Sequence, residues 1–225
     1  MSGYPISPRL QKGALVGLDP FNPLASVIVF QYNPETLTRT LTANTKADPR
    51  KTEQQAEVLR LVGPPTEEIK LDIELDATDQ MEKGDPIALD AGIHPTLASL
   101  EMLLYPKSIT VILKEVLVRA GLLEVTGLPQ QPLTLFVWGQ RRVLPVRLSS
   151  MSITEDFFDP ALNPIRAHVN LGLRVLNYRD LGLGSVGGAI FLAHQIAKET
   201  MATLAGLGTV ASGSVSFALP GGLLP

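Results

Sequence analysis

The chain reads as a mainly β, α+β protein: an antiparallel β-barrel or sandwich with one or two packed helices, then a C-terminal helix and a Gly-rich tail. Three observations predict this. Two segments, 69–76 and 165–175, alternate between aliphatic and mostly polar residues, the pattern of strands with one buried and one wet face. Two others, 26–32 and 133–138, are apolar at most positions and bounded by turn residues. Helical spacing is confined to three short stretches.

In chain order, residues 12–18 and 26–32 form two short β-runs, because Val27, Ile28, Val29 and Phe30 are β-formers and Asp19, Pro20, Asn22 and Pro23 supply the turn. The second run reads as fully buried. Residues 37–42, Leu-Thr-Arg-Thr-Leu-Thr, suit a half-exposed strand paired back onto 26–32, with Asn33-Pro34 as the hairpin corner. Residues 43–57 are polar and long for a loop in a compact domain, which predicts a mobile segment or a contact arm. Residues 132–139 and 142–154 form a hairpin around Gly139-Gln140-Arg141, with a buried first strand. The helices are 95–104, opened by Pro95, then 109–120, and 188–204. In 109–120 the spacing favours helix although the β-branched content favours strand. Residues 1–179 are thus expected to be the β domain, and residues 180–225 a helix with a Gly/Ala-rich assembly tail. No internal repeat is visible.

Composition excludes several functions. A formal charge of −3, from 19 basic and 22 acidic residues, leaves no basic footprint for nucleic acid or an anionic membrane. Only 18% of residues are charged, against about 25% in an average protein, so parts of the surface are expected to be covered by partners. There is no cysteine, hence no disulfide framework, thiolate metal site or cysteine nucleophile. The start of the chain lacks a secretory pattern and no apolar run approaches the ~20 residues of a membrane helix, which together predict cytoplasmic synthesis.

No residue pattern supports catalysis, a metal or a cofactor. His94, His168 and His194 are isolated, with His168 expected on the polar face of a strand and His194 on a helix surface. Glu155, Asp156 and Asp159 lack the ligand positions and central glycine of a calcium loop and read as a solvated turn. The glycines at 182, 184, 187 and 188 superficially suggest a phosphate loop, but the Gly-Lys-Ser/Thr ending is missing and no strand runs directly into them.

Five segments, in order, resemble the contractile injection system tube protein family. They are Phe30-Gln31-Tyr32-Asn33-Pro34-Glu35-Thr36-Leu37, Gly63-Pro64-Pro65-Thr66-Glu67-Glu68-Ile69-Lys70-Leu71, Leu100-Glu101-Met102-Leu103-Leu104-Tyr105-Pro106, Leu135-Phe136-Val137-Trp138-Gly139, and the stretch from Ile153 to Asp159 leading into Asn163-Pro164-Ile165. The resemblance covers residues 27–175. It implies a tail-tube-like fold and a structural role in a phage-tail-like particle: a homo-oligomeric ring, hexameric, at the baseplate hub, contacting the spike, the inner tube and baseplate subunits. Many members continue into a LysM module. Residues 180–225 do not show one, so peptidoglycan binding is not carried over.

The expected function is therefore that of a non-enzymatic ring connecting the spike to the inner tube, with tube initiator, spike adaptor and repeated tube subunit all open on the sequence, assembled in the cytoplasm into a particle and released with it, without nucleic-acid binding or membrane insertion. Its expected protein interface is the helical stripe Ile190, Ala193, Ala197, Met201 and Leu204, which would pack on a neighbouring subunit. The rival reading is a small-ligand or carbohydrate-binding β-barrel whose stacking faces are Trp138, Phe157 and Phe158.

Overall fold

The computed structural model describes residues 11–18, 27–44, 61, 63–106, 108–121 and 131–211. Seven antiparallel strands form one sheet: β1 (Ala14–Leu18), β2 (Val27–Val29), β3 (Leu37–Thr42), β4 (Thr66–Asp76), β5 (Leu133–Val137), β6 (Val143–Phe158) and β7 (Pro164–Val175). Their order across the sheet is β2-β1-β5-β6-β7-β4-β3. The helices are α1 (Thr78–Glu82), α2 (Pro86–Ala91), α3 (His94–Glu101), α4 (Ser108–Arg119), α5 (Tyr178–Leu181) and α6 (Val186–Ala211).

The alternating strands pair as their pattern demands. Leu71 faces Leu171 and Ile73 faces Val169 across β4 and β7, so every aliphatic side chain of both strands falls on one face. Strand β6 carries its apolar residues first at even positions, Leu144, Val146 and Leu148, and then at odd ones, Met151 and Ile153. A bulge between Leu148 and Ser150 absorbs the change of phase, opposite Gly172. A side chain at Gly172 would collide with the Ser150 hydroxyl, so the glycine keeps the bulge in register. The core lies on this inner face, with Leu15, Phe30, Phe136 and Leu173 fully buried and Leu97 and Leu100 of α3 packed into it.

Two expectations are corrected here. The sheet is not closed as a barrel: β2 and β3 are its edges. Nor do the runs at 26–32 and 37–42 form a hairpin, because they lie at opposite edges, β2 against β1 and β3 against β4. The turn-forming Asn33-Pro34 serves a different purpose. The Asn33 carboxamide donates to the Gln11 carbonyl (2.8 Å) and accepts from the Gly13 N–H (2.9 Å), ahead of β1. Two residues earlier, the Gln31 amide donates to the Asp76 carbonyl (2.7 Å) and accepts from the Asp76 N–H (2.9 Å), at the end of β4. Each carboxamide stands in for a strand's backbone, so residues 30–36 tie the two margins of the open sheet together without a ladder between them.

Among the described residues the helices read at 95–104, 109–120 and 188–204 appear as α3, α4 and α6, and the short α1, α2 and α5 are added. Helices α1 and α2 are too short for a periodic signal. Their sequence mark is the cap at Asp85, which accepts from the N–H groups of Ile87 and Ala88 ahead of Pro86. The contact arm expected at 43–57 falls almost wholly outside the described residues, as does the chain beyond Ala211.

Candidate assembly surfaces

Three surfaces of the chain stay apolar and uncovered among the described residues. The first is the tip of the β6–β7 hairpin, where Phe157, Phe158 and Leu162 are 68%, 49% and 76% exposed. Phe157 and Leu162 both adopt positive φ, 56° and 67°, which bulky residues hold only when the surroundings impose it. Asp159 imposes it. Its carboxylate accepts from the N–H groups of Ala161 and Asn163 and from the Asn163 amide, all at 2.8 Å. The Leu162 N–H returns to the Asp159 carbonyl, and the Asn163 amide also reaches the Asp90 carbonyl at 3.0 Å. These bonds hold the Asp159 pKa below the usual Asp value. The Arg166 guanidinium lies 5.5 Å above the Phe157 ring and is fixed by Asp76 at 2.5 Å. Burial works against the Asp76 carboxylate, but hydrogen bonds from Thr78 and Arg166 outweigh it and keep its pKa low.

The second surface is α6. Its packing side is Gly187, Gly188 and Phe191: a side chain at Gly187 would strike Leu181 and Leu133, and one at Gly188 the Gly182 carbonyl. Phe191 meets Tyr178 of α5 edge-on at 5.9 Å. Further along, Lys198 reaches Glu67 (3.5 Å), a buried carboxylate already held by Arg39 at 2.6 Å. His194 lies beside this cluster. Burial first, and then the nearby Lys198 charge, depress its pKa, and its Nε2 is buried without a hydrogen-bond partner among the described residues. Next to the packing side runs a shallow groove of about 440 Å³, lined by Gln140, Arg141, Val143, Ile190, Ala193, His194, Ala197 and Met201. Residues 201–207 of the helix are exposed throughout.

The third surface is the outer face of β2, β1 and β5. The registers Val29–Ala14–Val137 and Val27–Val16–Leu135 line up apolar side chains across three strands. Val27 and Val29 are 48% and 53% exposed, on a strand with one free edge among the described residues. Helix α4 adds to the uncovered apolar area. None of its residues is buried, and Ile109, Ile112, Leu113 and Val116 face outward.

The contractile injection system tube protein family model matches residues 19–180. The chain belongs to that family. Among solved structures, a chain from a virion of native gene transfer agent (GTA) particle aligns with 72% of this chain and 90% of its own length, at 11% identity and a TM-score of 0.28. No curated protein matches the sequence.

In this tube protein the five sequence-read interface residues do not behave alike. Ile190, Ala193, Ala197 and Met201 line one groove, whereas Leu204 lies beyond it on the exposed half of α6. The three aromatics of the carbohydrate-binding reading are not assembled into one platform. Trp138 stacks on Phe136 at 5.8 Å beyond the end of β5, while Phe157 and Phe158 project from the hairpin tip. The glycine-rich segment is a helix entry, in which the Ser185 hydroxyl accepts from the Gly188 N–H and the glycines allow close packing. His168 lies on the polar strand face as expected, 3.6 Å from Asp156. His194, expected on the surface, is half-buried because α6 turns it towards the Glu67 cluster. The sequence reading offers Phe157 and Phe158 as sugar-stacking faces and misses the hairpin tip as an assembly surface. Its signal was the pair Phe157-Phe158 inside an acidic turn, where no core is available to receive them. Among the described residues no helix is long and apolar enough to cross a membrane, and no group of three His, Cys, Asp or Glu side chains is arranged to hold a metal ion.

Proposed function

We propose that this tube protein is a ring-forming structural subunit at the baseplate hub of a contractile injection system, seated between the spike and the inner tube of a phage-tail-like particle. The observation that carries the reading is the outer face of β2, β1 and β5: an apolar sheet surface, half-buried over β1 and β5 and exposed on β2, whose outer edge is free among the described residues. Such a face on a single chain is a surface for a neighbour, and copies that meet through two different patches close into rings. The family resemblance supports reading that ring as sixfold. The groove and exposed half of α6, with Ile190, Ala193, Ala197, Met201 and Leu204, make the contact to a neighbouring subunit. No chemistry is required of the chain, and its partners are itself, the spike or hub protein, inner-tube subunits and baseplate subunits.

Size-exclusion chromatography with light scattering tests the ring, and imaging of intact particles tests its layer. The expected result is a closed oligomer alone and one ring at the tube–spike junction in particles. A monomer at all concentrations, or repeats along the whole tube, would overturn the corresponding half of the reading.

A further inference from the structure

The hairpin tip and the α6 groove lie at opposite ends of the same strands. The tip joins β6 to β7 next to α1 and α2, where the Ile93 N–H donates to the Pro164 carbonyl and the Ala77 N–H to that of Ile165. The groove borders the start of β6, beside the turn Gln140-Arg141 that precedes it. One end is convex and apolar at its summit, the other concave with a mainly apolar lining. Their charges are opposite as well. Glu155, Asp156 and Asp159 sit at the tip with Asp90 close by, and the cation beside them, Arg166 over the Phe157 ring, is taken up by Asp76 and Glu74. Around the groove stand Arg141, Arg142 and Lys198, and the one buried carboxylate among them, Glu67, is taken up internally by Arg39 and Lys198.

From this we infer that the occupant of the α6 groove is the β6–β7 hairpin tip of a second copy of this chain, Phe158 and Leu162 seated against Ala193, Ala197 and Met201 with the acidic flank of the tip towards Arg141. Three physical arguments select a second copy. The knob is pre-organised: the turn 159–163, locked by Asp159, presents Leu162 in the same position before and after contact, so little ordering cost remains to be met on binding. The charges complement each other across the contact and oppose tip-to-tip or groove-to-groove pairing, which sets a direction. Knob and groove are different patches on one chain, so the contact is heterologous and propagates from copy to copy, as a closed assembly demands. The inference rests on the ring reading above and deepens it by naming surfaces that successive copies present to each other.

The absence of cysteine permits a direct test, since two introduced thiols are the only ones present. Leu162→Cys and Ala193→Cys are made as separate chains, both at exposed positions, and circular dichroism checks their fold. On mixing under mild oxidation, a disulfide between the two different variants is expected in high yield, and neither variant is expected to dimerise with itself. A chain bearing both thiols should give a ladder of linked species on a non-reducing gel. Light scattering of the unmodified chain under the same conditions separates the two levels. Oligomers without the mixed disulfide would overturn this contact and leave the ring standing. Monomers without it would overturn both, and a Leu162→Cys homodimer would replace the head-to-tail contact with a tip-to-tip one.

Discussion

The two halves of the sheet treat hydrophobic residues differently. In β4 and β7 one face is aliphatic and the other polar, and Leu71, Ile73, Val169 and Leu171 are sealed while Asp72 and Asn170 meet across the outer surface. In β2, β1 and β5 both faces are apolar, yet among the described residues the inner one alone is sealed: Leu15, Ile28 and Phe136 are buried, Ala14, Val16, Leu135 and Val137 are half-buried, and Val27 and Val29 are exposed. The first half is finished within one chain. The second carries apolar surface in excess of what its own helices cover, and on the proposed function that excess belongs to the neighbouring subunit.

The largest effect should come from breaking the finished half. Val169→Asp puts a charge on the sealed face between Ile73 and Ile153, where no water or partner can reach it, and should cost several kcal/mol or abolish folding. Its neighbour Asn170→Ser changes only the outer face and should cost below about 1 kcal/mol. Equal midpoints in urea for the two variants would contradict the assignment of faces.

Truncation after Arg179 tests whether α6 and the residues beyond it are an assembly element, the division of the chain proposed from sequence. It removes Phe191 and the Lys198 contact to Glu67 but none of the seven strands. The expected product is soluble and folded, melts at a lower temperature, and no longer enters particles. Loss of the fold would make α6 part of the core, and normal incorporation would remove the proposed role.

The comparison also shows what sequence can reveal. Residues 69–76 and 165–175 were legible because each strand satisfies its own pattern, and the glycine–bulge pair that corrects the phase of β6 involves only local chemistry. The runs 26–32 and 133–138 have the composition of strands buried on both sides, which the described residues of the single chain do not deliver. Apolarity records that a surface is covered without saying by which chain. The partner of β2 was illegible for another reason. A hairpin between 26–32 and 37–42 satisfies every local rule, and long-range contacts with no local signal, among them the carboxamide bonds of Gln31 and Asn33, carry the chain to the other edge.

Those bonds give a prediction of intermediate size. Asn33→Ala leaves the Gly13 N–H and Gln11 carbonyl without their partner and should cost about 1–2 kcal/mol in urea unfolding. Gln31→Ala should cost a similar amount at the opposite margin. A neutral result for both would show that packing of Phe30 alone holds the two margins.

On the unfinished half, Val29→Lys should hardly alter the isolated chain, within about 0.5 kcal/mol, because the side chain already faces solvent. Light scattering should nevertheless show loss of the oligomer, as a charge enters the proposed contact. A persistent oligomer would move the ring interface elsewhere, with α4 the next apolar surface to test.

The smallest effect is expected from His194, and its sign is fixed by its surroundings. Burial and the Lys198 charge hold its folded pKa below the ordinary value, while Arg142 and Arg39 act in the same direction and Glu67 opposes them. Above the unfolded pKa of about 6.5 the imidazole is neutral in both states and contributes no pH dependence. Below it the unfolded chain binds a proton that the folded chain resists, so stability falls as pH drops from about 6.5 towards the folded value. Asp76 and Asp159, whose pKa values are also lowered, lose their contributions only in the more acidic carboxylate range. His194→Gln keeps a polar side chain on the same helix face and removes the titration. Melting temperatures of the two proteins should run parallel from pH 8 to about 7 and diverge below that, the native chain losing stability faster. Parallel curves down to pH 5 would mean that the imidazole reaches water freely and that α6 does not press it against the Glu67 cluster.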